Sequence, residues 1–269
     1  MKNLEIDDLV LPASMPRLDV IYSPKGEAGE FAPLATNPYR GCGHGCTYGY
    51  CAPVLHMKVG EFNAGATLKA NYLQRLAKDA AKCAAAGLSG QIHMCFSTDP
   101  YHPADTTATR EAIKILHENG LGVSILTKGG TRALRDLDLF LADRDCFGCT
   151  LTCLDADVSR EWEPNAALPA DRIAALKAFH NAGIYTWASL EPTLDADTSL
   201  AIVKTTHTFV DLYKVGKLNY RKSDIDWRDY TSRMVDLCTA LNANHYIKRD
   251  LAGFLPTGYH NPMRVVQHH

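Results

Sequence analysis

Asn37-Pro-Tyr-Arg-Gly-Cys-Gly-His-Gly-Cys-Thr-Tyr-Gly-Tyr-Cys-Ala-Pro53 is the stretch on which the reading of this chain turns. It holds three of the nine cysteines, Cys42, Cys46 and Cys51, interleaved with Gly41, Gly43, Gly45 and Gly49. Glycine permits φ > 0 and close backbone approach, so the run reads as a loop wrapped around a bulky group. Three thiolates on such a loop suit an iron–sulfur cluster. A cubane has four irons, so three local cysteines leave one iron open for a further ligand. Two other readings stand beside this one: a structural zinc site with His44 or His56 as fourth ligand, and loop cysteines that bind nothing. A disulfide is disfavoured, since nothing in the sequence points to secretion and three cysteines do not pair evenly.

Working outward, a chain of 269 residues that is 46% apolar can bury a large core, and barrels of this length are commonly one domain. Its 28 basic and 30 acidic residues give a formal net charge of −2, without the basic footprint of most nucleic-acid binders. No apolar run is long enough to span a membrane, and Met-Lys-Asn-Leu-Glu-Ile-Asp-Asp8 lacks a signal peptide's apolar region, so a cytoplasmic protein with reduced thiols is expected. Short apolar runs at Leu34–Asn37, Ile92–Phe96, Val123–Leu126, Gly148–Leu154, Ile184–Leu190 and Phe209–Val215 read as strands. Helical spacing marks about Ala66–Ala86, Thr107–Asn119, Arg132–Asp143, Pro169–Asn181 and Tyr230–Asn242, and the segment from His245 reads as a last strand or as packing beneath the sheet. Strands alternating with helices predict βαβ units and a parallel sheet. Cys83 and Cys238 read as small buried hydrophobes.

The cysteine run resembles the cluster loop of radical S-adenosylmethionine (SAM) enzymes. Asn37-Pro-Tyr-Arg-Gly-Cys with His44-Gly-Cys is similar, more narrowly, to the branch related to spore photoproduct lyase, which includes proteins of phages and mobile elements. One departure stands out: the family spacing is Cys-x3-Cys-x2-Cys, whereas here Gly49 holds the third position and the spacing is Cys42-x3-Cys46-x4-Cys51. Two extended residues span at most about 7 Å, which a glycine loop can fold back on itself. The resemblance implies an α/β fold, a partial (β/α)6 TIM-type barrel, with residues 1–33 as a leader across one barrel end and 34–269 as a single domain with a C-terminal extension. A doubly wound open sheet is the alternative.

The resemblance further implies a four-iron four-sulfur (4Fe-4S) cluster on Cys42, Cys46 and Cys51, with SAM on the remaining iron. Reduced by an electron donor such as flavodoxin or ferredoxin, the cluster would cleave SAM to a 5′-deoxyadenosyl radical that abstracts hydrogen from a substrate, which is a small molecule, a peptide or, less favoured by the charge balance, a nucleic acid. Side chains at the carboxyl ends of barrel strands point into the site. Ser97, Thr98 and Asp99 match the strand end that takes the SAM ammonium; Thr127 and Lys128 match a Thr-Lys pair that holds SAM, the lysine facing its carboxylate. Tyr48 or Tyr50 stands where the family sets an aromatic ring against adenine. Glu191 is read either as a ribose acceptor or as a partner of Arg172, and Lys217 as facing adenosine or substrate. Cys95, two residues before Ser97, matches a hydrogen-donating cysteine of the lyase, or is a core residue. Cys146, Cys149 and Cys153 suggest an auxiliary cluster, but alternate as a buried strand face does. Rival readings are a degenerate SAM-binding protein, or a zinc-stabilised binding protein, on the same fold.

Overall fold

The computed structural model describes residues 15–49, 51–219 and 221–261. The chain enters through strand β1 (Ile21–Tyr22), a 3-10 turn (Gly26–Glu30) and strand β2 (Ala35–Thr36). Strand β3 (Tyr39–Arg40) follows, then two short helices, α1 (Cys51–Val54) and α2 (Val59–Asn63), before strand β4 (Thr67–Leu68) pairs back on β3. From there the elements alternate: α3 (Tyr72–Ala85), β5 (Gln91–Met94), α4 (Thr107–Glu118), β6 (Gly122–Thr127), a 3-10 segment (Gly130–Leu139) and β7 (Cys146–Thr150). Next come α5 (Ala156–Trp162), α6 (Pro169–Asn181), β8 (Tyr185–Leu190), α7 (Ala196–Thr206), β9 (Leu212–Val215), α8 (Trp227–Ala240), β10 (His245–Ile247) and α9 (Arg249–Ala252).

Local chemistry sets the helix boundaries. Tyr72, Leu76, Ala80 and Cys83 recur at helical spacing and are all buried, giving α3 one apolar face. Pro169 opens α6 at a position where its missing N–H costs nothing. Asp155, Asp195 and Asp226 cap α5, α7 and α8, each side chain accepting backbone N–H bonds of the first turn.

The main sheet runs β1-β2-β5-β6-β7-β8-β9-β10, parallel throughout except for β1. Strand order follows chain order without reversal, which removes the doubly wound alternative, since such a sheet needs a switch point. The sheet also curls. In a flat sheet β5 and β8 would lie about 14 Å apart, yet the rings of His93 and Trp187 on those strands are 6.0 Å apart, with Phe31 against both. Period-two alternation then divides each strand. Ile92, Met94, Val123, Ile125, Phe147, Cys149, Ala188, Leu190, Tyr213 and Val215 belong to the large core shared with the helices, while Cys146, Trp187 and Leu212 form a smaller interior cluster with Phe31. β10 does not pair with β2 among the described residues, and Glu30 and Phe31 fill that gap. Lys214 donates to both of their carbonyls, at 3.2 and 3.0 Å, and Glu30 accepts from the Tyr246 hydroxyl and the Arg249 amide. A partial barrel results, its seam covered by the segment before β2; residues 1–14 lie outside the described part.

Several expected boundaries move. The helix expected from Ala66 starts at Tyr72, because Thr67 and Leu68 pair with β3. The fourth strand lies at 146–150 rather than 148–154, and the helix expected at 132–143 is a 3-10 segment ending at Leu139. Strand β9 starts three residues later than expected, since Phe209 and Val210 close off α7. Helices α5 and α7 were not read from the sequence, although their aspartate caps are visible in it. The last strand, β10, is present.

His93 gives the interior a titration. Burial, helped by Lys214, pushes its pKa from 6.5 to about 3, so the folded protein holds it neutral. The unfolded chain binds the extra proton between those values, so folding stability falls as pH drops from about 6.5 toward 3, by up to about 1.4 kcal/mol per unit for one such group. Urea midpoints at pH 7, 5.5 and 4.5 are expected to fall steadily, and His93→Gln to flatten the trend; an equal slope in the variant would remove His93 as its cause.

Candidate cofactor site at the barrel mouth

The cysteine loop is clamped from two sides. Gly41 has φ +84°, and a Cβ there would lie 2.3 Å from the Gly65 carbonyl oxygen, so only glycine lets the loop leave β3 against the α2–β4 connection. The Cys42 amide bonds the Phe62 carbonyl at 2.9 Å, and the Thr98 hydroxyl bonds that of Gly41 at 2.6 Å. On the far side the loop is tied to the end of α5 and the residues after it. Thr47 N–H donates to the Trp162 carbonyl, Asn165 N–H to that of His44, and the Asn165 side chain to that of Gly43. The loop thus spans the carboxyl ends of β5 and β7.

None of the three loop thiols is in a disulfide. Cys42 is buried with Ala52 and Phe62, and Cys51 packs against that group. The Cys51 thiol donates to the Phe96 carbonyl at 3.4 Å, at the end of β5. Burial pushes Cys42 up to about 12, with Asp99 and Cys46 adding to the rise, and burial raises Cys46 as well; Lys128 opposes the rise at both. Among the described residues, no three His, Cys, Asp or Glu side chains gather tightly enough to share one metal ion.

The expected SAM-facing residues separate into two groups. Asp99 is buried and already engaged: Oδ1 accepts from Tyr101 N–H and the Thr127 hydroxyl, and Oδ2 from Lys128 N–H, with His44 Nδ1 at 3.4 Å. Burial alone would raise its pKa, but His44, Thr127 and the two amides lower it overall. Arg132 donates to His44 Nε2, which leaves the proton on Nδ1, facing Asp99. Thr127 accepts Gly129 N–H in turn. Thr98, Asp99 and Thr127 thus brace the loop. Ser97 differs: its amide is held by the Asn37 carboxamide, and its hydroxyl makes no hydrogen bond among the described residues.

Lys128 points to the thiol side. Its ammonium lies 5.6 Å from the Tyr48 ring, and although burial alone would lower its pKa, Cys46 and Glu163 raise it, so it stays cationic. The Tyr48 hydroxyl and the Arg172 guanidinium both donate to Glu163, and Arg172 also bonds the carbonyls of Ala167 and Thr150. Both side chains of this Glu163–Arg172 pair are fully buried. Glu191, read as a possible partner of Arg172, pairs instead with Lys248 at 2.5 Å across the β8–β10 side of the mouth, where Gly216 leaves room for it. Cys95 is buried beside Asp99 and Cys42, and burial holds its thiol well above its ordinary pKa.

Lys217 is not part of this assembly. Its ammonium lies 5.5 Å from the rings of Trp227 and Phe254, on the helix side of β9. Tyr50 lies outside the described residues. Cys146, Cys149 and Cys153 do not converge: Cys146 bonds the Gln91 side chain, Cys149 sits in the helix-side core, and Cys153 bonds the Asp155 carbonyl. The buried Glu163–Arg172 pair and the Asp99–His44–Arg132 contacts were not read as networks from the sequence: the first joins residues nine positions apart, whereas His44 and Arg132 lie 88 apart and only the fold brings them together.

No family model matches the sequence. An uncharacterized protein of Methanocaldococcus jannaschii is 28% identical over 197 residues, which is 71% of this chain and 73% of that protein. Among solved structures, a cysteine-to-alanine mutant of spore photoproduct lyase with dinucleoside spore photoproduct superposes with a TM-score of 0.65, over 84% of this chain and 78% of that one, at 14% identity. Streptococcus suis SuiB bound to S-adenosylmethionine superposes with a TM-score of 0.57 over 78% of this chain, at 16% identity. The fold is that of the radical SAM enzymes. This chain spans 45% of the length of SuiB and so corresponds to one part of that larger protein. Among the described residues, no helix of this radical SAM fold is long and apolar enough to cross a membrane.

Proposed function

We propose that the protein is a radical SAM enzyme in which Cys42, Cys46 and Cys51 hold a 4Fe-4S cluster. The observation that carries this reading is the placement of three thiols, none in a disulfide, on one clamped loop at the strand ends of a radical SAM-type barrel. When bound and reduced, the cluster supplies one electron to break a carbon–sulfur bond of SAM, opening hydrogen-atom abstraction from a substrate.

This chain's residues divide the remaining work. Lys128, cationic and without an ion-pair partner among the described residues, faces the carboxylate of SAM, and the Ser97 hydroxyl accepts from its ammonium. Glu163, fixed by Arg172, holds the Tyr48 hydroxyl and so aims that ring. Cys95 keeps its proton because burial disfavours the thiolate, which is the form a hydrogen-atom donor needs. Glu191 and Lys248 line the side of the mouth away from the loop and meet the substrate end. Solved relatives have been crystallised with a precursor peptide and with a dinucleoside photoproduct; the net charge of −2 favours a small molecule or peptide here. The electron comes from a flavodoxin or ferredoxin.

Protein reconstituted with iron and sulfide under anaerobic conditions, mixed with SAM and dithionite, is expected to release 5′-deoxyadenosine, and Cys46→Ala to release none above background. Wild-type protein that binds SAM but yields no 5′-deoxyadenosine would reduce the protein to a SAM-binding scaffold.

A further inference from the structure

We infer that the outer face of α1, α2 and β4 is the docking surface for an acidic one-electron carrier protein, an assignment that rests on the cluster reading above. Three large apolar side chains stand out of this small region: Val54 is 63% exposed, Val59 60% and Leu68 49%. They sit on adjacent pieces of chain. Val54 ends α1, Val59 begins α2, and Leu68 lies in the β3–β4 ribbon, tied to the end of α1 by the Arg40 guanidinium reaching the Leu55 carbonyl. Single exposed aliphatics are ordinary, whereas three on neighbouring elements mark a contact surface.

The charges beside them have one predominant sign. Arg40 and Lys58 are exposed and Lys69 is half-buried, against one local carboxylate, Glu61. Arg40 and Lys69 lie close enough for Arg40 to push the Lys69 pKa down, after burial. None of the three cations makes an ion pair among the described residues. A chain with overall charge −2 therefore concentrates unneutralised positive charge here, which suits an acidic partner by complementarity.

Position supplies the function. The buried sides of the same two helices carry Ala52 and Phe62, which pack on Cys42, and Cys51 is the first residue of α1. The exposed valines and the cluster thiols are thus separated by roughly one helix diameter, about 10 Å. The patch is small, and electron-transfer partners commonly bury less than about 1,200 Å². Nucleic acid would use the cations but gain nothing from Val54, Val59 and Leu68, so a protein carrier is favoured.

The test measures binding of a purified flavodoxin to the anaerobic protein by titration calorimetry at low and at physiological salt. Wild type is expected to bind with a clear salt dependence. Lys58→Glu/Val59→Asp, changing exposed positions that hold no cofactor, and Arg40→Glu are each expected to weaken binding about tenfold or more, while Lys177→Glu on α6 leaves it unchanged. In parallel, dithionite-driven release of 5′-deoxyadenosine is expected to be the same in wild type and in Lys58→Glu/Val59→Asp. Equal flavodoxin affinity in wild type and both patch variants, no wild-type binding, self-association through this face, or tighter binding of an oligonucleotide there would each overturn the assignment. Absence of dithionite-driven product in wild type counts against the enzyme reading and leaves the binding result to stand separately.

Discussion

Arg172→Met is expected to lower the free energy of unfolding by about 3–5 kcal/mol, because it leaves the Glu163 carboxylate buried without its cation. Arg172 is fully buried; besides Glu163 it serves the carbonyls of Ala167 and Thr150, so three acceptors lose a donor at once. Burial alone would raise the Glu163 pKa, and Arg172 followed by Lys128 holds it down instead. Without Arg172 that balance tips toward proton uptake. Part of the loss is therefore recovered in Glu163→Gln/Arg172→Met, where no charge is stranded. Urea denaturation at neutral pH reads both variants. A loss under about 1 kcal/mol in the single variant would show that the pair is not holding the segment after β7 in place. Trp162, one residue before Glu163, holds Thr47, and Asn165, two residues after it, holds Gly43 and His44, so disorder in this segment propagates directly to the cysteine loop.

Lys128→Met is expected to behave in the opposite way, leaving stability within about 1 kcal/mol while weakening SAM binding about 10- to 150-fold. The basis is that the Lys128 ammonium makes no hydrogen bond or ion pair among the described residues, only a contact over the Tyr48 ring at 5.6 Å, so the fold loses little when it goes. A hydrogen bond to a charged group is worth about 1.5–3 kcal/mol, and each 1.4 kcal/mol is tenfold in affinity. Equilibrium dialysis of SAM against the anaerobically reconstituted protein measures the change. Unaltered affinity would place the SAM carboxylate elsewhere, with Lys128 acting only on Cys46 and Glu163.

The sequence was most informative where a pattern is local. Short apolar runs located β2 and β5 to β9, because each strand's two faces are decided by its own side chains, whereas β10 was left open between a strand and packing beneath the sheet. The first turn of α6 was marked by Pro169 alone. Boundaries failed where pairing decides them: nothing local distinguishes Thr67 and Leu68 from a helical lead-in to α3 until β3 lies alongside. Site residues followed the same division. That Cys42, Cys46 and Cys51 share one glycine loop was legible. That Asp99 braces His44 and Thr127, that Glu191 pairs with Lys248 and not Arg172, and that Lys217 turns to the helix side depend on contacts between residues 28 to 57 positions apart, or on strand parity at the end of β9. The seam plug of Glu30 and Phe31 is the extreme case, since its partners Lys214 and Tyr246 lie 183 to 216 positions along the chain.

The central claim is that Cys51, displaced by two positions from the usual third-cysteine spacing, completes the cluster site with Cys42 and Cys46. Iron and sulfide content, with the electron paramagnetic resonance spectrum of the reduced protein with and without SAM, tests it on wild type and Cys51→Ala reconstituted side by side. The account predicts about four irons per wild-type chain, a spectrum altered by SAM, and loss of both in Cys51→Ala. A variant that keeps the full iron content and the same SAM-sensitive spectrum, or a wild type that takes up no iron, would contradict it.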